Sequence, residues 1–309
     1  MLRIVCPVGT ILCCVAIGHA QQPTRPFSAA TDLVVVPAVV LDRKGAVVQG
    51  LDASAFQVFE DGRQVAIEAF TTPADHALGA DGRFVVLVLD NLRTRAELGP
   101  RVQTIARKFA SRMGPSDAVS VITLDAGRTW TATSPAEVRA AIERFRPAFG
   151  ETIRSDEQLV TQGLRAIGLL NAQLSKISHR RKVLVFIGAA SMFSPSQVSA
   201  FADRDPDLSQ LWYDAIRSSG RDNVTVYVID PEISPGTVGD YSRSFAAETG
   251  GYAWANSSNF DDMVDRIWLE SGSYYLLGYR LPINDHRLHK IEVKVSVPRA
   301  TVRARRARG

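Results

Sequence analysis

The chain has 309 residues, 46% of them apolar, and its 36 Lys and Arg residues against 32 Asp and Glu residues give a net charge of +4. This apolar content excludes an intrinsically disordered chain, which combines low hydrophobicity with a high net charge. The composition also excludes collagen-like, disulfide-scaffold and multi-span membrane proteins. At about 100–200 residues per domain, the length allows one large domain or two smaller ones.

The first twenty residues have the pattern of a secretory signal. Arg3 precedes an apolar run, Ile4–Ile17, and small residues follow at Gly18 and Ala20, as signal peptidase requires. The run is shorter than the ~20 residues of a spanning helix, and an N-terminal membrane anchor is the alternative. We therefore expect a cleaved signal over residues 1–20, export to the periplasm or the extracellular space, and no transmembrane segment in the mature chain.

The mature chain is predicted to contain no disulfide, because all the cysteines lie in the signal. They are Cys6, Cys13 and Cys14. The mature protein must then be stabilised by packing alone, and the sequence leaves its oligomeric state open.

Residues 32–72 have the pattern of β-strands. Asp61-Gly62 separates two apolar runs, which is a strong hairpin signal because both turn positions favour positive φ. The stretch from Thr72 to Gly82 is rich in Ala, Asp, Gly and Pro, and it is predicted to be a linker.

The middle of the chain alternates buried strands with helices. Phe84–Asp90 is almost entirely apolar, as expected of a strand covered on both faces of a parallel sheet. Similar strands are predicted at Ala118–Leu124, Lys182–Ile187 and Val224–Ile229. Helices are predicted at Ala96–Met113, Pro135–Phe145, Glu157–Lys176, Leu208–Ser219 and Asn259–Glu270. Ser134 can cap the second of these, and Glu137 can complete its capping box. This order indicates an α/β fold with a doubly wound, mostly parallel sheet.

After Ser271 the pattern returns to β. Strands are predicted at Tyr274–Arg280, Lys290–Val297 and Thr301–Arg305. A small sheet cannot stand alone with an exposed apolar face, so we expect the front and back strands to pair into one β-sandwich. The predicted domains are 21–81 and 272–309, which share the sandwich, and 82–271, the α/β domain inserted between them. Two independent β flaps are the alternative.

Several segments resemble those of a known family. They are FVVLVLDN at the first core strand, RKVLVFIG in the middle, VTVYVIDP at the strand Val224–Ile229, and SYYLLGYR followed by HKIEVKVSVPRATVRARR. In this order they resemble the secreted VWFA-related proteins of the acidobacterial type, whose central part is a von Willebrand factor type A domain. The resemblance implies a Rossmann-like α/β fold, a protein-binding or cell-adhesion role, and a divalent cation at the carboxyl ends of the strands.

The family's metal motif is degenerate in this chain. The family has Asp-x-Ser-x-Ser after the first strand, where this sequence has DNLRT, which keeps Asp90 and the hydroxyl of Thr94 but replaces the first serine by Leu92. Thr152 matches the family's loop threonine, and Ala189 stands where a last aspartate is expected. The metal ligands that the resemblance leaves are therefore Asp90, Thr94 and Thr152.

This reduced set predicts a lost or weakened cation site. Mg²⁺ requires a nearly regular octahedron of oxygens, and one carboxylate compensates little of its dehydration. We therefore expect no cofactor, with Mg²⁺ or another divalent cation as the alternative. Asp90 can instead cap nearby backbone or pair with Arg93 or Arg95, and a shifted alignment would recruit Glu151 or Asp156.

Other candidate chemistry is sparse. Asp125 and Asp230 end core strands, at the edge where ligands of such sheets bind. No phosphate-binding loop and no Gly-x-Ser-x-Gly motif occurs, and no His lies near the strand ends for proton transfer. We expect a protein that is not an enzyme, and a metal-assisted hydrolase using Asp90 and Asp125 is the alternative.

The basic C-terminal end resembles a nucleic-acid-binding arm in composition but lacks aromatic residues between its charges. Its arginines are Arg299, Arg303, Arg305, Arg306 and Arg308. We expect no nucleic-acid partner and predict an edge strand trailing into solvent, where charge discourages edge-to-edge pairing. Contact with an anionic envelope surface is the alternative. His286 and His289, on the preceding loop, are predicted to be solvated.

The predicted function is that of an exported, non-enzymatic protein-binding or adhesion module with a protein or cell-envelope partner. Ser191–Gln210 follows the central strand and is expected to overhang the strand ends, where loops often carry function. Within it, Met192 and Phe193 are either tucked under the loop or presented to a partner. The predicted partner-binding residues are Asp90, Asn91, Arg93, Thr94, Thr152, Met192 and Phe193. A structural component of an envelope complex is a further alternative.

Overall fold

The computed structural model describes nine stretches of the chain. They are residues 33–77, 82–124, 129–132, 134–148, 155–177, 181–189, 206–233, 245–280 and 287–308. The predicted signal and the candidate residues Asp125, Thr152, Met192 and Phe193 lie outside these ranges. Within them, none of the helices has the length and apolar character needed to cross a bilayer.

The described residues form fourteen strands and seven helices. The strands are β1 (Leu33–Leu41), β2 (Phe56–Glu60), β3 (Arg63–Val65), β4 (Ala69–Thr71), β5 (Phe84–Leu89), β6 (Ala118–Thr123), β7 (Thr129–Ala132), β8 (Lys182–Ile187), β9 (Val224–Ile229), β10 (Ala253–Trp254), β11 (Tyr275–Arg280), β12 (His289–Val295), β13 (Thr301–Ala304) and β14 (Ala307–Arg308). The helices are α1 (Pro73–Ala77), α2 (Gly99–Ser111), α3 (Pro135–Glu143), α4 (Asp156–Leu174), α5 (Pro206–Arg221), α6 (Phe245–Glu248) and α7 (Phe260–Gly272).

The central sheet is doubly wound. Its strand order is β10-β9-β8-β5-β6-β7, and every neighbouring pair is parallel except β6 and β7. Helices α4, α5 and α6 contribute apolar side chains to the core on one face, and α2, α3 and α7 do so on the other. Strands β8 and β9 are therefore buried at every position, which explains their continuous apolar sequences. The predicted α/β sheet is confirmed.

The front and back strands form one sandwich. One sheet has the order β13-β1-β11-β4 and the other β14-β12-β2-β3. Strand β1 pairs antiparallel with β11, from Leu33 opposite Arg280 to Ala38 opposite Tyr275, and β2 pairs antiparallel with β12. The inward side chains of both sheets share one apolar core. The predicted insertion of the α/β part into a sandwich is thus part of the confirmed fold.

Two local predictions are confirmed by backbone geometry. Asp61 and Gly62 have φ values of 49° and 80° in the two-residue turn between β2 and β3, as predicted for this hairpin. Ser134 begins α3 with a full capping box, in which its side chain accepts from Glu137 N and Glu137 accepts from Ser134 N. Ser155 begins α4 with another capping box, which was not predicted.

The prediction that the basic C-terminal end trails into solvent is wrong. Arg305 and Arg308 are only 6% and 4% exposed, and Arg303 donates to Glu270 on α7 at 2.7 Å. Arg308 Nε donates to Oε2 of Glu60 on β2 at 2.8 Å. Arg305 donates to the carbonyl oxygen of Gly220 near the end of α5. These arginines thus anchor the last strands to both the sandwich and the α/β part.

His289 also differs from its prediction as a solvated loop residue. It is buried, it begins β12, and its Nδ1 lies 2.7 Å from Asp61 Oδ2 in the hairpin turn. The turn therefore has a second role, because its aspartate also accepts from Lys290 N at 2.8 Å and so fixes β12 beside β2.

Glu60 is the common acceptor of the buried polar cluster in the sandwich. It accepts from Tyr279 Oη at 2.6 Å as well as from Arg308. Burial raises the pKa of Glu60, but the hydrogen bonds from Arg308 and Tyr279 outweigh burial and leave the pKa below its usual value. The carboxylate is therefore charged at neutral pH and requires its cation.

Replacing Arg308 by Ala should destabilise the protein, because it leaves the Glu60 charge buried without its ion-pair partner. We expect the free energy of unfolding in urea to fall by about 3–5 kcal/mol. Arg63→Ala is the matched control, since Arg63 is exposed on β3 of the same sheet and should change stability by less than about 0.5 kcal/mol. Equal losses in the two variants would contradict the anchoring role.

Candidate binding site at the strand ends

The candidate site lies where the winding of the central sheet reverses. Successive connections from β5 lead to one side of the sheet, and the chain then continues with β8 on the other side of β5. The carboxyl ends of β5 and β8 lie side by side at this switch point, where open α/β sheets bind ligands. Asp90 follows β5, and Gly188 and Ala189 follow β8.

Asp90 is a structural acceptor for backbone of both loops. Its side chain is fully buried, at 0% exposure. Oδ1 accepts from the backbone N–H of Leu92 at 3.1 Å and of Arg93 at 3.0 Å, and Oδ2 accepts from Ala189 N at 3.3 Å. The backbone-capping alternative drawn from the sequence is therefore what the structure shows. One carboxyl group holds the loop after β5 against the loop after β8.

Burial dominates the ionisation of Asp90. Removal from water raises the pKa of this carboxyl, although the backbone hydrogen bonds from Arg93, Ala189 and Leu92 and the charge of Arg93 oppose the shift. The net direction is upward. Such a carboxyl binds a cation less readily than a solvated one does, because the charged form that a cation needs is disfavoured.

Gly188 is required by the close approach of the two loops. A Cβ atom at this position would lie 2.2 Å from Asp90 Cβ and 2.8 Å from Asp90 Oδ2. Backbone bonds also hold these strand ends together, since Asp90 N donates to Ile187 O of β8 and Gly188 N donates to Ile229 O of β9, each at 3.0 Å. The switch point therefore has no room for a side chain at Gly188.

Asn91 and Thr94 are also buried, and they extend the same framework. Asn91 Oδ1 accepts from Leu124 N at 3.1 Å, and its carbonyl oxygen accepts from Ala148 N at 2.7 Å, so it ties the ends of β6 and of the segment after α3 to the site. The Thr94 hydroxyl has no hydrogen-bond partner in the described part of the chain. Arg93 is partly exposed. The structure thus brings together the candidates Asp90, Asn91, Arg93 and Thr94.

Among the described residues, this edge also exposes side chains that were not predicted to bind a partner. Arg95 lies 2.9 Å from Glu97 and 2.9 Å from Glu232, so it bridges the loops after β5 and β9. Ile233 beside Glu232 is 48% exposed. Their position immediately after core strands is the signal that could have identified them. Asp230, which follows β9, makes a local hydrogen bond in which its Oδ1 accepts from Glu232 N at 2.9 Å.

In the described part of the chain, no group of three or more His, Cys, Asp or Glu side chains is placed to hold a metal. Asp90 has about four lone-pair positions, of which backbone N–H groups occupy three, whereas Mg²⁺ takes six oxygens. Thr152, the other ligand implied by the family resemblance, lies outside the described residues. Metal ligation and partner binding by the predicted residues stay predictions.

Comparison with known proteins gave structural similarities only. No protein-family profile matches the chain, and no curated protein matches it. Similar solved structures are an aerotolerance-related membrane protein from Bacteroides fragilis (15% identity, TM-score 0.42, covering 62% of this chain and 98% of that chain) and the manganese-loaded TRAP protein of Plasmodium vivax (9%, 0.40, 80% and 96%). The VWA domain of SpRpn10 is also similar (12%, 0.36, 60% and 94%).

Similarities with these TM-scores carry no argument. The strand order and helix layers of the central sheet are those of the predicted doubly wound α/β fold. Secretion and the acidobacterial type stay predictions.

Two glycine substitutions test the close packing at the switch point. Gly188→Ala should lower the free energy of unfolding by about 1–3 kcal/mol, because its Cβ would overlap the base of the Asp90 side chain. Gly168→Ala, in the interior of α4, meets no atom within 4 Å and should raise stability by about 0.5–1 kcal/mol. Chemical denaturation of both variants measures the difference, and a stable Gly188→Ala protein would refute the packing constraint.

Proposed function

We propose that the chain is an exported, non-enzymatic protein-binding module that binds its partner through the strand-end surface without a metal ion. The observation that supports this proposal is the use of both Asp90 oxygens as acceptors for loop backbone. In this role the Asp90 carboxyl group fixes the conformation of the loops after β5 and β8. A bound cation could fix the same loops, but here hydrogen bonds within the protein do so.

The exposed residues of this edge favour a protein as the partner. Arg95, Glu97 and Glu232 form a row of both charge signs, and Ile233 adds an exposed apolar side chain beside it. Mixed charges with an apolar contact give orientation and specificity in protein association. Rigid loops also reduce the entropy lost on binding. The buried residues Asp90 and Asn91 would then position the loops, and the exposed residues would contact the partner.

The enzyme alternative receives less support from the same geometry. Asp90 is buried and engaged by backbone, and its raised pKa disfavours the anion that a metal-assisted hydrolase would need. No His lies among the described residues that follow β5, β8 and β9. A structural component of an envelope complex is the other alternative, and stable co-purifying subunits would distinguish it.

Chelation separates metal-independent binding from metal-dependent binding. Crosslinking pull-down of the mature chain from its native envelope fraction should recover the same partner in EDTA and in Mg²⁺. Arg95→Glu should weaken recovery, because it reverses the charge at the centre of the row. Arg139→Glu is the matched control, since Arg139 is exposed on α3 away from this edge. Loss of the partner in EDTA with rescue by Mg²⁺ would contradict the proposal.

A hydrolase screen tests the non-enzymatic part separately. We expect purified mature chain and its Asp90→Ala variant to show the same background turnover on a broad set of ester, peptide and phosphoester substrates. Any activity that the Asp90→Ala substitution abolishes in a protein that is still folded by circular dichroism would support the enzyme alternative instead.

A further inference from the structure

A second candidate binding surface lies on the flank of the α/β part, between α4 and α5. It is an open groove of about 920 Å³, a volume within the range of ligand sites. Leu164, Gly168 and Leu169 of α4 and Leu211, Ala215 and Ser218 of α5 contribute its neutral lining. None of these lining residues is a candidate of the strand-end site.

The groove has a fixed shape because the helices are joined beneath it. Asn171 of α4 is buried, and its Nδ2 donates to Ser218 Oγ at 2.8 Å and to Ser219 Oγ at 2.9 Å on α5. Both serines also donate to the Ala215 carbonyl oxygen. These bonds hold α4 and α5 at one separation, so a ligand would meet a preformed surface.

Gly168 keeps the groove open. It lies in the interior of α4, and a Cβ atom there would meet nothing within 4 Å. Glycine at such a position costs about 0.5–1 kcal/mol relative to alanine, and no close packing in the structure requires it. This glycine leaves the space above the helix empty at this position, next to Leu169.

Leu169 is the most exposed large apolar side chain of the described residues, at 68%. It lines the groove, as does Leu211 of α5, which is partly buried. A single exposed leucine is common on protein surfaces, but here it borders a concave apolar lining. The groove therefore offers apolar contact to a ligand with apolar side chains.

The charges around this lining are mainly positive. The described charged residues of the groove are Arg165, Arg217, Arg221 and Asp214. Arg217 pairs with Asp214 one turn earlier on α5. Arg165 is exposed, and Arg221 Nε lies 3.6 Å from Asp222 Oδ1 with most of its side chain in solvent. An apolar groove with this rim is complementary to a ligand that is apolar on one face and acidic beside it.

We propose that the groove between α4 and α5 binds an acidic amphipathic helix of a partner protein. Helices that bind in grooves insert apolar side chains spaced at i, i+3 or i+4, and i+7, and here these would contact Leu169, Leu211 and the space above Gly168. Acidic residues flanking that stripe would then face Arg165 and Arg221. A flat anionic membrane would not fill a concave groove, and a second copy of this chain would bring two arginine rims together.

The test uses a displayed library of 14-residue helical peptides selected on the immobilised mature chain. The peptides selected without any counter-selection are then measured on Gly168→Gln, which fills the groove with a good helix-forming residue and should leave the protein at least as stable as the original. We expect selected peptides to carry apolar residues at helical spacing and Asp or Glu beside them. The best peptide should bind Gly168→Gln at least about tenfold more weakly by fluorescence anisotropy.

Charge reversal tests the rim. The double substitution Arg165→Glu and Arg221→Glu should weaken binding of the acidic peptide. Added salt should weaken binding of the same peptide to the original protein. Arg139→Glu, on the opposite face of the sheet, should leave binding unchanged, and Arg95→Glu should do the same because the strand-end surface is separate. Selection of basic peptides, equal affinity for Gly168→Gln, or dimerisation of the protein that Gly168→Gln abolishes would overturn the proposal.

Discussion

The buried carboxyl group of Asp90 is the constraint on which the strand-end surface depends. It sits at the switch point of the sheet, and its two oxygens take backbone N–H groups from two loops that are far apart in sequence. The contact requires glycine at position 188, because a Cβ atom there would lie 2.2 Å from Asp90 Cβ. A polar group fully removed from water is costly unless it is hydrogen-bonded, so the loops and the carboxyl stabilise one another.

The nested order of the domains imposes a second constraint at the end of the chain. The strands after α7 must return to the sandwich that begins with β1, and they pass beside the α/β part on the way. Arg303, Arg305 and Arg308 hold this return path to Glu270, to the Gly220 carbonyl and to Glu60. These arginines, whose sequence pattern predicts a tail exposed to solvent, thus pair with buried acceptors in both parts of the protein.

The sequence predicted most of the fold and less of the site. Continuous apolar runs such as Phe84–Leu89 indicate strands buried on both faces, and the need of two small sheets to cover their apolar faces indicates the sandwich. The burial of Arg308 and His289 could not be predicted, because their partners Glu60 and Asp61 lie more than two hundred positions earlier. The role of Gly188 likewise depends on a distance to Asp90 that no local pattern contains.

The central claim is that Asp90 orders the strand ends in place of a cation. Calorimetric titration of metal-stripped mature chain with millimolar Mg²⁺ and Mn²⁺ tests this claim most directly, because it needs no partner and no assay of activity. The account predicts no saturable heat of binding with either ion. Saturable one-site binding that Asp90→Ala abolishes would contradict it.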